Sequence, residues 1–202
     1  MQTKRCEIIG SISLVLFFSL QISVAVGQQS PKGLSRGQEA PSFVATDQSG
    51  EKIELKKLLQ HGPVVLLFYR GEWCPYCNKQ LAQLQDSLFL FAAKQVSVIA
   101  VSPELPSSIA KTVEKNKLQI PVLHDKDLRI MNDYDVAFTV DPAVVNKYKS
   151  FGIDLAKANG SNSSTLPVPA VYIIGQNGII QYVYFNENYK QRVSVSELLA
   201  HL

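Results

Sequence analysis

Residues 64–69, Val-Val-Leu-Leu-Phe-Tyr, form an unbroken apolar run with β-branched and aromatic members. A strand buried on one face alternates apolar and polar positions, so an unbroken run predicts a strand covered on both faces, within a parallel or mixed sheet. From Pro75 the period changes. Leu81, Leu84, Leu88 and Phe91 recur three and four residues apart, which predicts one long amphipathic helix over 75–94. Pro75 suits its first turn, where a missing N–H costs nothing. Further along, the pattern predicts a second buried strand at 96–101, a helix at 106–116, a short strand at 120–123 and a helix at 127–134. Asp141-Pro142 has the N-cap and first-position chemistry of another helix start. Strands at 171–174 and 179–185 flank Gly175-Gln176-Asn177-Gly178, a hairpin signal. Ser194 and Glu197 have capping-box spacing and open a last helix at 195–202. Ahead of the central strand, short alternating runs at 44–46 and 52–55 flank the turn Asp47-Gln48-Ser49-Gly50, a second hairpin, and 56–60 is a helical turn.

The first residues follow none of these patterns. Lys4 and Arg5 precede an apolar stretch at 8–24 and the small residues Ala25-Val26-Gly27, the order of regions in a secretory signal peptide cleaved before Gln28. The alternative is a retained anchor, since the stretch approaches spanning length, though Gln21 and the serines interrupt it. Residues 28–36, polar with Pro31 and Gly33, read as a linker, and 37–202 as one domain. The formal charge of +3 is spread along the chain without a basic block, which excludes nucleic acid as an expected partner. Of three cysteines, Cys6 lies in the leader, ahead of its apolar stretch, and leaves with it. Cys74 and Cys77 remain.

That pair emerges where the central strand ends and a helix begins, the end of an open α/β sheet at which sites form. The positive end of the helix dipole and its free N–H groups stabilise a thiolate, bringing a thiol from about 8.5 to between about 3.5 and 7.5 in such motifs. A zinc site would need two more ligands, and Cys6, His61, His124 and His201 are not spaced as a second half-site. An inert bridge is the other alternative, but one closing so short a loop constrains the unfolded chain little. Trp73 reads as packing beside the helix start, and His124 as a satisfied histidine at a strand end.

Strand, Trp73-Cys74-Pro75-Tyr76-Cys77, helix, and Val168-Pro169 before a closing hairpin together resemble the thioredoxin fold, with Val168-Pro169 similar to its cis-proline. From Gly37 onward the chain further resembles the peroxiredoxin-like branch, the alkyl hydroperoxide reductase and thiol-specific antioxidant family. The segments carrying this are Glu39-Ala40-Pro41-Ser42-Phe43, the run from Phe68 to Leu81, Phe151-Gly152-Ile153-Asp154-Leu155, the run from Leu166 to Ile174, and Tyr189-Lys190-Gln191-Arg192. The resemblance implies a central mixed β-sheet flanked by helices, with an N-terminal β-hairpin extension. It implies Cys74 and Cys77 as catalytic residues, with Arg70, Glu72, Trp73, Pro75, Tyr76 and Pro169 supporting them, and no metal or cofactor beyond a redox-active Cys74–Cys77 disulfide.

The departures from the family pattern matter. Typical members carry Pro, three residues, Thr, two residues and then the peroxidatic Cys. Aligned on Phe68-Tyr69, Arg70 falls at the Pro, Cys74 at the Thr and Cys77 at the peroxidatic place. The arginine ahead of the closing hairpin falls at Pro169. The buried acid of thioredoxins falls at Phe68, leaving Glu72 as the nearest carboxylate. Two assignments therefore compete: the alignment makes Cys77 the attacking thiolate, while position at the helix start makes it Cys74, with Cys77 resolving. The second is the expectation here, because the dipole and exposure act most strongly on Cys74.

The function expected is a secreted or periplasmic thiol-dependent peroxide reductase, recycled by a thioredoxin-like reductant and without stable membrane association once the leader is removed. The alternative keeps the residues and exchanges the substrate for protein disulfides. A non-catalytic binding module on the same fold is the third reading. The leader makes one prediction: intact-mass measurement of exported protein gives a chain beginning near Gln28, and a mass that retains residues 1–27 identifies an anchor instead.

Overall fold

The structure, a computed structural model, describes residues 30–162 and 164–202. The expected leader at 1–27 lies outside the described residues, among which no helix is long and apolar enough to cross a membrane. Among the described residues the first elements are the hairpin β1 (Val44–Thr46) and β2 (Lys52–Glu54), then α1 (Leu55–Leu59), the central strand β3 (Val64–Phe68) and α2 (Pro75–Asp86). There follow α3 (Leu88–Ala92), β4 (Ser97–Ser102), α4 (Pro106–Asn116), β5 (Val122–His124), α5 (Arg129–Asp133) and β6 (Ala137–Thr139). The last part holds α6 (Pro142–Ser150), α7 (Leu155–Asn159), β7 (Thr165–Pro167), β8 (Ala170–Ile174), β9 (Ile180–Phe185) and α8 (Val195–Ala200).

Five strands form one mixed sheet in the order β5-β4-β3-β8-β9. β3 runs parallel to β4, with Val64 opposite Ser97 and Phe68 opposite Val101, and antiparallel to β8, with Val64 opposite Ile174 and Phe68 opposite Ala170. It is therefore paired on both edges and covered on both faces, as its unbroken apolar run requires. Side chains alternate between the faces. Val64, Leu66 and Phe68 pack with Ile99, Tyr134 and Tyr172, while Val65, Leu67 and Tyr69 pack with Leu81 and Leu84 of α2. Burying each large aliphatic side chain contributes about 1.5–3 kcal/mol, so this strand anchors both layers.

Three expectations are corrected. The helix expected over 75–94 breaks at Ser87, whose N–H turns back to the carbonyl of Leu84. Leu88-Phe89-Leu90-Phe91 cannot all face inward at helical spacing, and Phe89 and Leu90 remain exposed while Phe91 is buried. A two-stranded sheet, β6 with β7, and the helix α7, capped by Asp154, stand where no element was expected.

The third correction concerns the linker. From Ser30 onward that stretch is docked: Lys32 and Gly33 donate to the side chain and carbonyl of Asp135, Leu34 donates to the Tyr172 hydroxyl, and Pro31 is buried. Gly33 has φ +69°, and a Cβ there would lie 2.7 Å from Cδ2 of Phe185 and 2.9 Å from Oη of Tyr172. Only glycine combines that conformation with that approach. Gly33→Ala should lower unfolding free energy by about 1–3 kcal/mol in urea titration, whereas a free linker would leave the midpoint unmoved.

Candidate active site

Beyond β3, the Tyr69 N–H still donates to Val101, 3.1 Å away, and the chain then turns so that Cys74 N–H reaches the Gly71 carbonyl at 3.0 Å. Cys74 is the N-cap of α2, with φ −90° and ψ 109°, and Pro75 takes the first helical position. A Cβ on Gly71 would lie 2.5 Å from Trp73 Nε1 and 3.0 Å from Glu104 Oε1, so glycine lets the indole and that carboxylate close over the loop.

Both thiols are free and buried, Cys74 at 1% and Cys77 at 0% exposure. Exposure therefore does not distinguish them; a guanidinium does. Arg192, in the loop between β9 and α8, places Nη2 3.5 Å from Cys77 Sγ. It is held there by the carbonyls of Tyr189 and Gln191. Burial alone would raise the Cys77 thiol, but the hydrogen bond from Cys74, the charge of Arg192 and the Arg70 backbone N–H outweigh it and bring it below the ordinary range. Cys74 is raised, first by donating its proton to Cys77 and then by burial. This reverses the expectation that Cys74 holds the low-pKa thiolate. The dipole serves both sulfurs and the charge of Arg70 also favours a Cys74 thiolate, but only Cys77 has a guanidinium within hydrogen-bond reach.

A second correction concerns the acid. Glu72 turns its carboxylate to Lys115 at 2.8 Å, partly in solvent. Behind the pair lies Glu104, 0% exposed, at the end of β4. Its Oε1 accepts from the Glu72 backbone N–H at 2.8 Å and its Oε2 from Thr112 at 3.3 Å. Burial raises its pKa, and a thiolate at Cys77 raises it further. Glu104 and Arg192 are the residues that sequence reasoning missed as site members. Arg192 was visible only as part of a family-like segment, and Glu104 carried no motif.

The other expected residues divide. The Arg70 guanidinium is stacked among aromatic rings, 5.0 Å from the Trp73 centroid and 4.5 Å from that of Tyr189, and donates to the Tyr148 hydroxyl. Trp73, Pro75 and Tyr76 join Arg70 and Cys74 in the wall of a groove of about 550 Å³, closed on its far side by α6. A separate cleft of about 370 Å³ is lined by Tyr76, Gln80, Lys190 and Arg192, the guanidinium that touches Cys77 forming part of its wall. Pro169 lines neither opening. The expected cis bond before it is absent, since every peptide among the described residues is trans. Val168 N–H pairs with Val136 and the Pro169 carbonyl accepts from Asn186, holding the segment extended between two ladders. His124 lies at the end of β5, two strands from β3.

Comparison with known proteins agrees with this topology. A peroxidoxin, BcpB, from Mycobacterium tuberculosis superimposes with a TM-score of 0.64 at 21% identity, covering 83% of this chain and 96% of that one. A 2-Cys peroxiredoxin from Plasmodium vivax gives 0.61 at 21% identity, covering 82% and 92%. Both likenesses speak to the fold. In sequence, the chloroplastic peroxiredoxin Q of Oryza sativa subsp. japonica is 30% identical over 154 residues, 76% of this chain, which spans only 60% of that relative's length. The thiol-disulfide oxidoreductase ResA of Bacillus anthracis is 37% identical over 101 residues, half of this chain and 57% of that one. The profile of the AhpC/TSA family matches residues 36–183, from the docked N-terminal stretch into the closing hairpin, and the chain belongs to that family.

Proposed function

We propose that this chain is a thiol-based oxidoreductase that reduces peroxides, and that Cys77 is its attacking thiolate. One observation carries the reading: a sulfur with no exposure sits 3.5 Å from a guanidinium that also lines an open cleft. A peroxide in that cleft meets the guanidinium, and the Arg192 side chain must shift for it to reach the enclosed thiolate. The thiolate attacks the terminal peroxide oxygen, an S–O bond forms as the O–O bond breaks, and the sulfenic acid is left while the departing oxygen, its charge offset by Arg192, takes a proton from solvent and leaves as alcohol or water. Cys74, at the start of the same helix, attacks the sulfenic sulfur, expelling water and closing the disulfide. Glu104, buried with its pKa raised, senses charge on Cys77, and the Cys74 proton passes to solvent as the disulfide closes. A thioredoxin-like dithiol restores the pair.

A second reading, exchange with protein disulfides, is favoured by the groove over Cys74. A peroxide displaces roughly two waters, about 60 Å³, far less than the groove holds. The relatives named thiol-disulfide oxidoreductase support the same reading. A non-catalytic module predicts no exchange with any dithiol. The basic and apolar leader supports action outside the cytoplasm.

Hydrogen peroxide consumption with dithiothreitol, beside insulin disulfide reduction on the same preparation, separates the two activities. The peroxidase reading expects the first to exceed the second. For the roles of the cysteines, Cys74→Ser should still react with one equivalent of peroxide and hold a sulfenic acid that dimedone labels at Cys77. Cys77→Ser should be inert toward peroxide, and dimedone labelling of Cys74 would reverse the assignment. Because Cys77 is depressed below the ordinary thiol value of about 8.5, its alkylation rate rises with pH in the acid range and is level by neutrality. Arg192→Ala should carry that rise to higher pH and slow the reaction at pH 7 about tenfold, one opposite charge being worth about 1–3 pH units.

A further inference from the structure

The groove over Cys74 has more apolar surface than a peroxide can use, and its far wall is unusual. α6 buries none of its residues. A surface helix normally spends its apolar stripe on the core. Here only Val145 and Tyr148 pack, partly buried, on the small cluster of Val140, Leu155 and Leu166, and Val144, Tyr148 and Phe151, four and three residues apart, line the groove, with Val144 39% and Phe151 70% exposed. Across from them stand Tyr76 and Tyr189, in edge contact at 5.9 Å. Among the described residues, four of the seven exposed large apolar side chains, Tyr76, Val144, Phe151 and Tyr189, meet in this groove. A concentration of that kind marks an interaction site.

The charge is equally one-sided. Arg70 and Lys147 line the groove, Lys79, Lys190 and Arg192 line the adjoining cleft, and no carboxylate lines either opening. Among the described residues none of these five cations forms an ion pair with an acid. Arg70 is buried and Arg192 half-buried, so the exposed charge is that of Lys79, Lys147 and Lys190, and the surface around the sulfurs is apolar at its centre with a cationic rim, the anatomy of a protein interface awaiting an acidic partner.

We infer that the face formed by α6, Tyr76 and Tyr189 docks the protein dithiol that reduces the Cys74–Cys77 disulfide, and that this partner presents an apolar centre ringed by acidic residues. The inference rests on the dithiol turnover proposed above, though not on peroxide being the oxidant. The geometry assigns the point of attack. Cys74 is the sulfur that borders the groove. A partner thiolate attacks Cys74 Sγ, the intramolecular S–S bond breaks, and Cys77 leaves as a thiolate beside Arg192, a low-pKa thiol being the better leaving group. The partner's second thiolate then attacks its own sulfur in the mixed disulfide and releases Cys74. Two electrons pass to the pair, the partner becomes a disulfide, and the protons it loses end on Cys74 and in solvent.

Trp73 is the only tryptophan of the chain and is adjacent to Cys74, so its fluorescence follows reduction of the oxidised full-length protein directly. Rates are measured with a thioredoxin of net negative charge, one of net positive charge, and dithiothreitol. The acidic thioredoxin should be fastest per mole, and its rate constant should fall about tenfold between about 50 and 500 mM salt as steering is screened. Lys147→Glu and, separately, Phe151→Ser should each slow it about tenfold while changing the dithiothreitol rate less than twofold. Equal losses with thioredoxin and dithiothreitol would overturn the inference, because the groove would then serve the disulfide itself. So would equal rates for the two thioredoxins, or a dimer of this chain that Phe151→Ser dissolves, which would make a second copy the occupant. A protein that accepts electrons from the acidic thioredoxin yet consumes no peroxide keeps the docking face and loses the peroxidase reading.

Discussion

A negative charge on sulfur must be held where water has been excluded. Burial opposes it, and the start of a helix, worth about 0.3–1 kcal/mol to an exposed charge and up to about 2 in partly buried geometry, is a modest contribution against that opposition. The hydrogen bond from Cys74 adds to it, and the guanidinium of Arg192 adds charge from a point 115 residues further along the chain. Its loop is correspondingly braced. The Asn186 side chain accepts from the Asn188 N–H and donates to the Gln191 side chain, and its backbone N–H reaches the Pro169 carbonyl. Pro169 thus acts on the site at one remove, through the loop that carries the cation.

The same constraint explains how much could be read from the residues alone. The central strand, the helix at Pro75, both hairpins and the caps at Asp141 and Ser194 follow from local pattern and local hydrogen-bond chemistry, and they stand as expected. The sulfur pair was legible for the same reason. What was not legible is non-local. β6 and β7 pair across an excursion that contains two helices, so neither strand has a local signal of its partner. Glu104 becomes a buried acid because Gly71 lets its carboxylate meet the loop, and Arg192 becomes a ligand of charge only when the closing hairpin lies beside the central strand. Position at the helix start favoured Cys74; a contact made by the tertiary fold favours Cys77.

Two sulfurs with opposite tendencies fit two openings. Arg192, in contact with Cys77, lines one, and Cys74 borders the other, the aromatic groove. Trp73 stands between that groove and a smaller recess lined by Glu104, Lys111 and Lys157, so one indole separates the surface offered to ligands from the side on which the buried acid approaches solvent. Its Nε1 has no hydrogen-bond partner among the described residues, so the ring is held by packing, by Tyr148 at 5.4 Å and by the Arg70 guanidinium at 5.0 Å.

α6 departs from and returns to a two-stranded ladder that lies outside the five-stranded sheet. Val145 and Tyr148 tie it to the cluster of Val140, Leu155 and Leu166, while Val144 and Lys147 beside the exposed Phe151 owe little to folding. Selection can therefore rewrite those three positions of the recognition wall without disturbing the register that holds the sulfurs. The chain carries its reaction centre and its specificity on parts that can evolve at different speeds.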